Sequence, residues 1–467
     1  MDIPDHKATD KARSASILYR TVWRWHFYAG LLIIPMVLVL SVTGGIYLFK
    51  PQIDRWEERN FRNYPIEKSV SPSAQRDAVL AKFRGVSFVD YRLPQQPGDA
   101  VLIHIRLAGG KVMREVFVSP QGAVVGTLDP DRRFTQIVHD VHGQLLMGPR
   151  GSWLVEFAAS WAIVLIVSGL YLWWPKGTGL AGVIWPRFRG GRRTFLRDIH
   201  AVSGFWVSGF ALVLLVTGLP WTDVWGSVFK AARTEMGWVR GVQDWTIGGR
   251  SADDGAHAIH TENVENPRNR GEHTSHTSPT TSAVGLDAIV ARAAAEKLAF
   301  PVIVTPPATS DAPWVVRSDS QNRPLRTTLK FDAMTGELTS RRTFADQHPI
   351  DRFVGYGIAW HEGQLFGWIN QLIGTLTAAA LVTLSIAGFL SWRRRKPKGQ
   401  LGAPRKPAGD LNSLGIKILV ALFFVALPMF ALTVAATWLV DRFVLRRLPK
   451  FGRWLGYAGP RPLESLP

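Results

Sequence analysis

The sequence predicts an α-helical integral membrane protein with about five transmembrane helices, built from a duplicated two-helix unit and carrying two small α+β modules outside the bilayer. Three observations indicate this fold class: five long apolar blocks, basic residues confined to particular connections, and motifs that recur in both halves. Of the 467 residues, 46% are hydrophobic and only 19% are charged. With 19 Trp and 24 Phe, this composition is typical of a membrane protein with aromatic residues at its interfaces.

The apolar blocks set the predicted boundaries. A helix needs about 20 apolar residues to cross a hydrocarbon core of about 30 Å. The expected order is an N-terminal segment with the first span at 1–50, an external module at 51–152, a span at 153–174, a loop at 175–197, a span at 198–221, a second external module at 222–368 with a disordered insert at 248–282, a span at 369–392, a loop at 393–417, a span at 418–440 and a basic tail at 441–467.

Lys and Arg residues orient the spans. They collect before the first block, in the 175–197 loop and in the 393–417 loop, so these segments are expected in the cytoplasm. The two modules then lie outside, in the periplasm of a Gram-negative bacterium. The basic tail conflicts with this topology, because a fifth full span would place it outside as well. Either the tail lies along the membrane surface or residues 418–440 do not fully cross.

Charge and cysteine content exclude several classes of function. The formal net charge of +19 is explained by basic residues beside the spans, so the bilayer rather than a nucleic acid is the expected partner. No cysteine is present, which rules out c-type haem attachment, cysteine-bound iron–sulfur clusters and thiol catalysis. A redox cofactor, if there is one, must be held by histidine or by non-covalent packing.

The two halves repeat the same pattern. His26 and His200 each stand four residues before a glycine, Gly30 and Gly204, at the start of a span. A second pair, His142-Gly143-Gln144 and His361-Glu362-Gly363-Gln364, precedes the next span in each half. Strand–turn–strand patterns at 116–124 and 328–338 also match, and each follows a predicted helix, at 73–83 and 286–298.

The insert at 248–282 explains why the repeat spacing differs between the two histidine pairs. It consists of Gly, Ser, Thr, Asn, Asp, Glu and His without apolar periodicity. Its four histidines could bind a metal, but in such a tract solvated side chains are the favoured interpretation. They are His257, His260, His273 and His276.

The repeated histidines predict two haem sites. Repeats with the same orientation are related by a two-fold axis along the membrane normal. Such an axis brings His26 to His200 near the cytoplasmic face and His142 to His361 near the outer face. Two facing imidazoles are the axial ligands of a b-type haem. Gly30 and Gly204 would leave room for the porphyrin beside the helix. An interfacial histidine that reaches water is the competing explanation for each residue taken alone.

Other residues are weaker candidates. His139 lies one turn before His142 and is the alternative ligand, but it has no counterpart in the second half. His104 falls in a probable strand and is expected to be structural. Three residues near the outer histidines either touch a substrate or anchor the interface, the second being favoured: Arg150, Trp153 and Glu362.

The His-x-x-x-Gly span starts, the strand–Gly–strand modules and the His-Gly-Gln and His-Glu-Gly-Gln stretches resemble the PepSY-associated transmembrane proteins, over about residues 17–395. This resemblance implies iron-regulated proteins of the bacterial inner membrane, some of which are b-haem ferric-siderophore reductases. It implies an oxidoreductase with two haem b groups on His26, His200, His142 and His361, acting on a ferric siderophore or other ferric chelate. Since no dinucleotide-binding motif is present, the electron donor would be a quinol or a cytoplasmic reductase.

Three alternatives remain open at this stage. The modules could bind peptides while the spans only anchor them, which would leave the matched histidines unexplained. Duplicated spans also occur in transporters, although carboxylates and broken-helix signals are scarce in these spans. A haem protein with a different periplasmic acceptor would have the same sequence features.

Overall fold

The computed structural model describes residues 6–107, 112–175, 180–189, 191–238, 284–404, 407 and 413–456; the predicted insert at 248–282 lies outside them. Within these ranges, four helices are long and apolar enough to cross a membrane: Ser16–Tyr47, Pro149–Trp173, Gly191–Trp221 and Trp368–Arg395. A bent helix pair, Leu414–Ala426 and Pro428–Phe443, provides a fifth candidate. A membrane protein with four to five spans and a separate antiparallel sheet is therefore confirmed.

Each half contains the same succession of elements. The first half consists of α1 (His6–Tyr47), α2 (Lys50–Glu57), α3 (Pro72–Lys82), β1 (Ser87–Arg92), β2 (Val101–Arg106), β3 (Met113–Val118), β4 (Val124–Leu128), α4 (Phe134–Gln144) and α5 (Pro149–Trp173). The second half consists of α6 (Gly191–Gly218), α7 (Asp223–Glu235), α8 (Leu286–Ala295), β5 (Val302–Thr305), β6 (Trp314–Ser318), β7 (Thr327–Phe331), β8 (Leu338–Thr343), α9 (Pro349–His361) and α10 (Trp368–Arg395). Three further helices follow: α11 (Leu414–Ala426), α12 (Pro428–Phe443) and α13 (Pro449–Trp454).

A glycine lies between α4 and the spanning helix α5 in the first half, and between α9 and the spanning helix α10 in the second. Gly148 and Gly367 precede α5 and α10 with φ angles of 62° and 58°, a region in which residues with a Cβ are strained. Pro149 then starts α5, where its fixed φ suits the first helical turn. These starts lie ahead of the predicted starts at 153 and 369, because the first turns of both helices contain residues outside the apolar blocks.

The eight strands form one sheet rather than two separate modules. Its order is β4-β3-β2-β1-β5-β6-β7-β8, and all neighbours are antiparallel. The two halves join where Tyr91 pairs with Val304 and Arg92 with Ile303. The order reads the same from either edge when the halves are exchanged, so the two-fold axis passes between β1 and β5. The hairpins predicted at 116–124 and 328–338 correspond to β3–β4 and β7–β8.

Helices α3 and α8 cover one face of the sheet. Val79 of α3 and Ile289 of α8 are fully buried against Ile103, Val304 and other alternating strand residues. Asp287 of α8 also accepts hydrogen bonds from the backbone and side chain of Ser73 at 2.7 and 2.6 Å, which links the two helices. Burying each large aliphatic side chain contributes about 1.5–3 kcal/mol to the stability of the folded state. The shared core therefore holds the two halves together.

The four spans form a ring in which α1 and α6 each pack against both α5 and α10. We call the end of this ring that joins the sheet the sheet end. The opposite end carries the start of α1 and the Arg393–Arg395 terminus of α10, and we call it the basic end.

The bent pair enters and leaves at the basic end. Its two axes differ in direction by 115°. The bend at Leu427 packs with Leu219, and Trp225 of α7 donates its indole N–H to Ala426, so the bend lies toward the sheet end. After α13, the Leu455 carbonyl accepts a hydrogen bond from Tyr28 near the start of the first span. The 115° bend fits the explanation in which residues 418–440 do not fully cross, and the described part of the basic tail lies with the other basic segments.

Candidate functional site

His26 of α1 and His200 of α6 face each other near the basic end. Their ring centres are 6.5 Å apart and the ring planes are nearly perpendicular, at 87°. His142 at the end of α4 and His361 at the end of α9 form an equivalent pair at the sheet end, with ring centres 6.2 Å apart and planes at 69°. We call these the basic-end pair and the sheet-end pair. The structure thus brings together the same four residues that the repeat predicts as pairs.

The spacing within each pair suits one metal ion. Two imidazole nitrogens bound at about 2 Å, with each ring centre about 1 Å behind its nitrogen, need ring centres about 6 Å apart. Both pairs have this separation. The described residues contain no group of three or more His, Cys, Asp or Glu that could hold a metal. A metal bound here would therefore need its remaining ligands from a non-protein group such as a porphyrin.

Hydrogen bonds assign the tautomer of the sheet-end pair. His361 Nδ1 lies 2.9 Å from the Leu214 carbonyl, which can only accept, so the proton is on Nδ1. His142 Nδ1 lies 3.0 Å from the Thr43 hydroxyl. That hydroxyl donates its own proton to the Val39 carbonyl at 2.8 Å, so its oxygen accepts from His142. In both residues the lone pair remains on Nε2, which is the form that binds a metal.

The basic-end pair has the same tautomer through different partners. His200 Nδ1 lies 3.0 Å from the Leu384 carbonyl and must donate to it. His26 Nδ1 lies 2.9 Å from the Ser168 hydroxyl, which donates in turn to the Leu165 carbonyl at 3.3 Å. Leu165 and Leu384 are equivalent positions in the two repeats. One half therefore reaches this carbonyl directly and the other through a serine.

A glycine of a neighbouring helix lies against each of the four rings. A Cβ on Gly169 would be 3.2 Å from His26, and one on Gly388 would be 3.1 Å from His200. At the sheet end, a Cβ on Gly44 would be 3.0 Å from His142, and one on Gly218 would be 3.1 Å from His361. These distances are tighter than ordinary contacts, so the absence of a side chain sets the position of each ring.

Sequence reasoning missed these supporting residues, although the repeat contains them. Val42-Thr43-Gly44 recurs as Val216-Thr217-Gly218, displaced by the same 174 residues that separate His26 from His200. Gly169 and Gly388 are displaced by the 219 residues that separate His142 from His361. The repeat therefore gives the positions of both sets, while their role beside the histidine rings depends on the fold.

One continuous cavity connects the two pairs. Its volume is 2190 Å³, and its lining includes all four paired histidines and the predicted Gly30 and Gly204. Typical ligand pockets measure about 300–1,000 Å³, so this cavity has room for two large planar groups. Gly204 also admits a neighbouring side chain, because a Cβ there would lie 3.1 Å from Leu384.

Ion pairs fix the short helix that carries His142. Arg133, just before α4, donates to Glu58 at 2.8 Å and to Glu115 of the sheet at 3.0 Å. Glu57 of α2 accepts from the Phe134 backbone at the helix start. The corresponding helix α9 is held by a buried ion pair of 2.6 Å between Arg233 and Asp351. Both sheet-end histidines are thus carried by anchored helices.

His139 lies outside both pairs. Its side chain is 49% exposed and contacts Asp140, and its ring centre is 5.7 Å from that of Tyr47. It lines the cavity one turn from His142, but the ring paired with His361 is that of His142.

His104 of β2 and His348 have local roles. Burial alone would lower the pKa of His104, but the carboxylates of Asp90 and Glu115 outweigh it and raise the pKa to about 9. His348 accepts a hydrogen bond from the Ile350 backbone and caps α9. Nothing is described for the His6 side chain, and the four histidines of the insert lie outside the described residues.

The three residues considered as substrate contacts or interface anchors lie in different environments. Trp153 donates its indole N–H to Asp223 of α7 at 2.6 Å. Arg150 is exposed at the start of α5. Glu362, which follows His361, lines the cavity.

Spanning helices, a shared sheet and paired interior histidines define a multi-span membrane protein with a duplicated core that encloses two histidine pairs. A family model described as the PepSY-associated TM region matches residues 23–395, more than three quarters of the chain. The protein belongs to this family. A comparison with individual curated proteins found no match.

Proposed function

We propose that this protein is a bacterial inner-membrane oxidoreductase with two b-type haems, which passes electrons from a quinol or a cytoplasmic reductase to a ferric siderophore or other ferric chelate. One haem would lie between His26 and His200 and the other between His142 and His361. The observation that carries this proposal is the pairing itself: two imidazoles about 6 Å apart, each protonated on Nδ1, occur at both ends of one cavity.

The chain's own residues hold and orient the ligands. Each haem, when bound, would alternate between ferric and ferrous iron and carry one electron at a time. Ser168, Thr43 and two backbone carbonyls keep the imidazole lone pairs on Nε2. The adjacent glycines let each ring approach the neighbouring helix. No acid, base or nucleophile is required for this chemistry.

The spacing of the pairs supports transfer across the bilayer. His26 and Gly44, the glycine against His142, are eighteen residues apart on α1, and the same interval separates His200 from Gly218 on α6. Eighteen helical residues span about 27 Å, close to the thickness of the hydrocarbon core. In this proposal the basic-end pair would receive electrons at one membrane face, and the sheet-end pair would deliver them at the other.

The sheet end offers room for an acceptor. The cavity continues past the sheet-end pair to polar side chains beneath the sheet, including Arg133, His104 and Gln321. A ferric chelate that reached this region would take up one electron per iron and release it as the more weakly held ferrous ion, while the donor loses the same number of electrons.

Single-turnover oxidation tests this proposal. The purified protein is reduced with dithionite, freed of excess reductant and mixed with ferric citrate, while optical spectra and ferrous iron are recorded together. We expect the reduced haem bands to disappear as about one ferrous ion appears per electron stored. Reduced protein that stays reduced in excess ferric citrate and other ferric chelates would refute the proposed acceptor. Protein without haem would refute the redox function altogether and favour the peptide-binding alternative.

A further inference from the structure

The cavity extends past the basic-end pair toward the basic end. Its lining there includes Trp23 and Tyr19 of α1, which precede His26 by three and seven residues. Seven residues of helix span about 10 Å. Arg395, the last residue of α10, also lines the cavity, and its guanidinium lies beside the Trp23 ring. A ligand held by the basic-end histidines therefore has room on the side where Arg395 lies.

Aromatic rings rather than acidic side chains position the Arg395 guanidinium. Its central carbon lies 5.2 Å from the ring centre of Trp23 and 5.5 Å from that of Phe27. A guanidinium attracted to aromatic rings keeps the N–H groups in its own plane as donors for an oxyanion. Throughout the part of the chain that the structure describes, the Arg395 side chain has no hydrogen bond and no ion pair.

Arg193, in the first turn of α6, supplies a second positive charge at this end. It lies within electrostatic range of Arg395. Its side chain is exposed and has no ion pair with an acidic side chain in the described ranges. The first turn of α6 itself contains no acidic residue. The two arginines repel each other, and an anion bound between them would remove this repulsion.

The buried carboxylate of Asp198 does not neutralise these two arginines. It pairs with Arg187 at 2.7 Å and with Arg197, which also lines the cavity, at 3.0 Å. One carboxylate shared by two guanidiniums leaves a net charge of +1. With Arg193 and Arg395 added, four arginines stand against one aspartate, so these five side chains carry a net charge of +3.

We infer that Arg395, together with Arg193, binds the two propionate carboxylates of a haem held by the basic-end pair. A haem has two propionates, which match the two guanidiniums in number and in charge. A carboxylate is costly to bury without a partner, so the propionates are expected at the end of the cavity that is nearest to water. Hydrogen bonds between a guanidinium and a carboxylate are among the strongest in proteins. This inference rests on the proposed function and names the residues that would orient one of its two cofactors.

The test uses the full-length protein and matched arginine variants. Arg395→Gln and Arg193→Gln each remove one proposed contact, and Arg395→Lys keeps the charge. Arg394→Gln is the matched control, because Arg394 is exposed on the same helix and does not line the cavity. For each purified protein, haem per chain, the rate of haem release to excess apomyoglobin and the propionate bending band in the resonance Raman spectrum are measured.

Arg395→Gln should release one of its two haems at least about tenfold faster than wild type, because a hydrogen bond between charged groups is lost. The propionate band of that haem should shift as well. Arg193→Gln should show the same changes to a smaller extent, and Arg395→Lys should restore most of the retention. If Arg395→Gln protein does not accumulate, Arg193→Gln decides the question in the same way.

Arg395→Gln protein that matches Arg394→Gln in haem content, release rate and propionate band would overturn the inference. That result is the one expected if the two arginines bind the headgroup of an anionic lipid instead. Wild-type protein that lacks haem would contradict the proposed function itself, so the two failures are distinguishable.

Discussion

Ser168 offers a selective way to perturb one of the two proposed haems. It is the described hydrogen-bond partner of His26 Nδ1, at 2.9 Å, and no other histidine of either pair has a serine as its described Nδ1 partner. A hydrogen bond from Nδ1–H makes the imidazole more electron-rich and stabilises the ferric state of a bound haem. Replacing Ser168 with alanine should therefore raise the midpoint potential of the basic-end haem.

The expected shift of the midpoint potential follows from the strength of one hydrogen bond. A net contribution of about 0.5–1.5 kcal/mol corresponds to about 20–60 mV for a one-electron couple. Optical redox titration of Ser168→Ala should show one haem shifted upward by this amount and the other unchanged. Ala387→Ser is the matched control at the equivalent repeat position, and it should change little because His200 already donates to the Leu384 carbonyl. Two unchanged potentials in Ser168→Ala, or a shift of the sheet-end haem alone, would refute the assigned hydrogen bond.

Three further predictions concern packing, pH and topology. Gly169→Leu should abolish haem binding at the basic-end pair and leave one haem per chain, because even a Cβ at this position would lie 3.2 Å from His26. The control Gly209→Ala should retain two haems, because no atom lies within 4 Å of a Cβ at that position. The pKa of His104 is raised to about 9, so its ion pairs should contribute stability that is complete below about pH 6.5 and lost as the pH rises through 9. The thermal unfolding midpoint should therefore fall between these pH values in wild type and not in His104→Gln. At the acidic side, burial alone would raise the pKa of Glu115, but His104 and Arg133 lower it to about 2, so its contribution is complete above about pH 4.5 and is lost as the pH falls from there through 2. Reporter fusions after residue 456 and before residue 16 should indicate the same side of the membrane, and opposite sides would contradict the bent pair.

The membrane spans and histidine pairs were accessible from sequence because they depend on local composition and on repetition. A span needs only its own apolar residues, and the offset between His26 and His200 already implies a symmetry axis. For residues 418–440, the conflict between a full fifth span and the basic tail left incomplete crossing as one of two explanations.

The remaining features depend on contacts between distant segments. The pairing of Tyr91 with Val304 joins the halves into one sheet, and no local pattern on β1 or β5 specifies that partner. Ser168 gains its role only when α5 packs against α1 at His26, and its repeat equivalent is alanine. Arg395 likewise reads as one of a run of basic residues until the fold places it in the cavity beside Trp23.

Haem stoichiometry tests the central claim most directly. Pyridine haemochrome analysis of the purified protein, together with oxidised and dithionite-reduced spectra, counts the b-type haems in each chain. The paired histidines predict two low-spin haems in wild type and in His139→Ala, and one in either His26→Ala or His142→Ala. A colourless wild-type protein after expression with ample haem, or two haems retained in both His26→Ala and His142→Ala, would contradict bis-histidine ligation by these pairs.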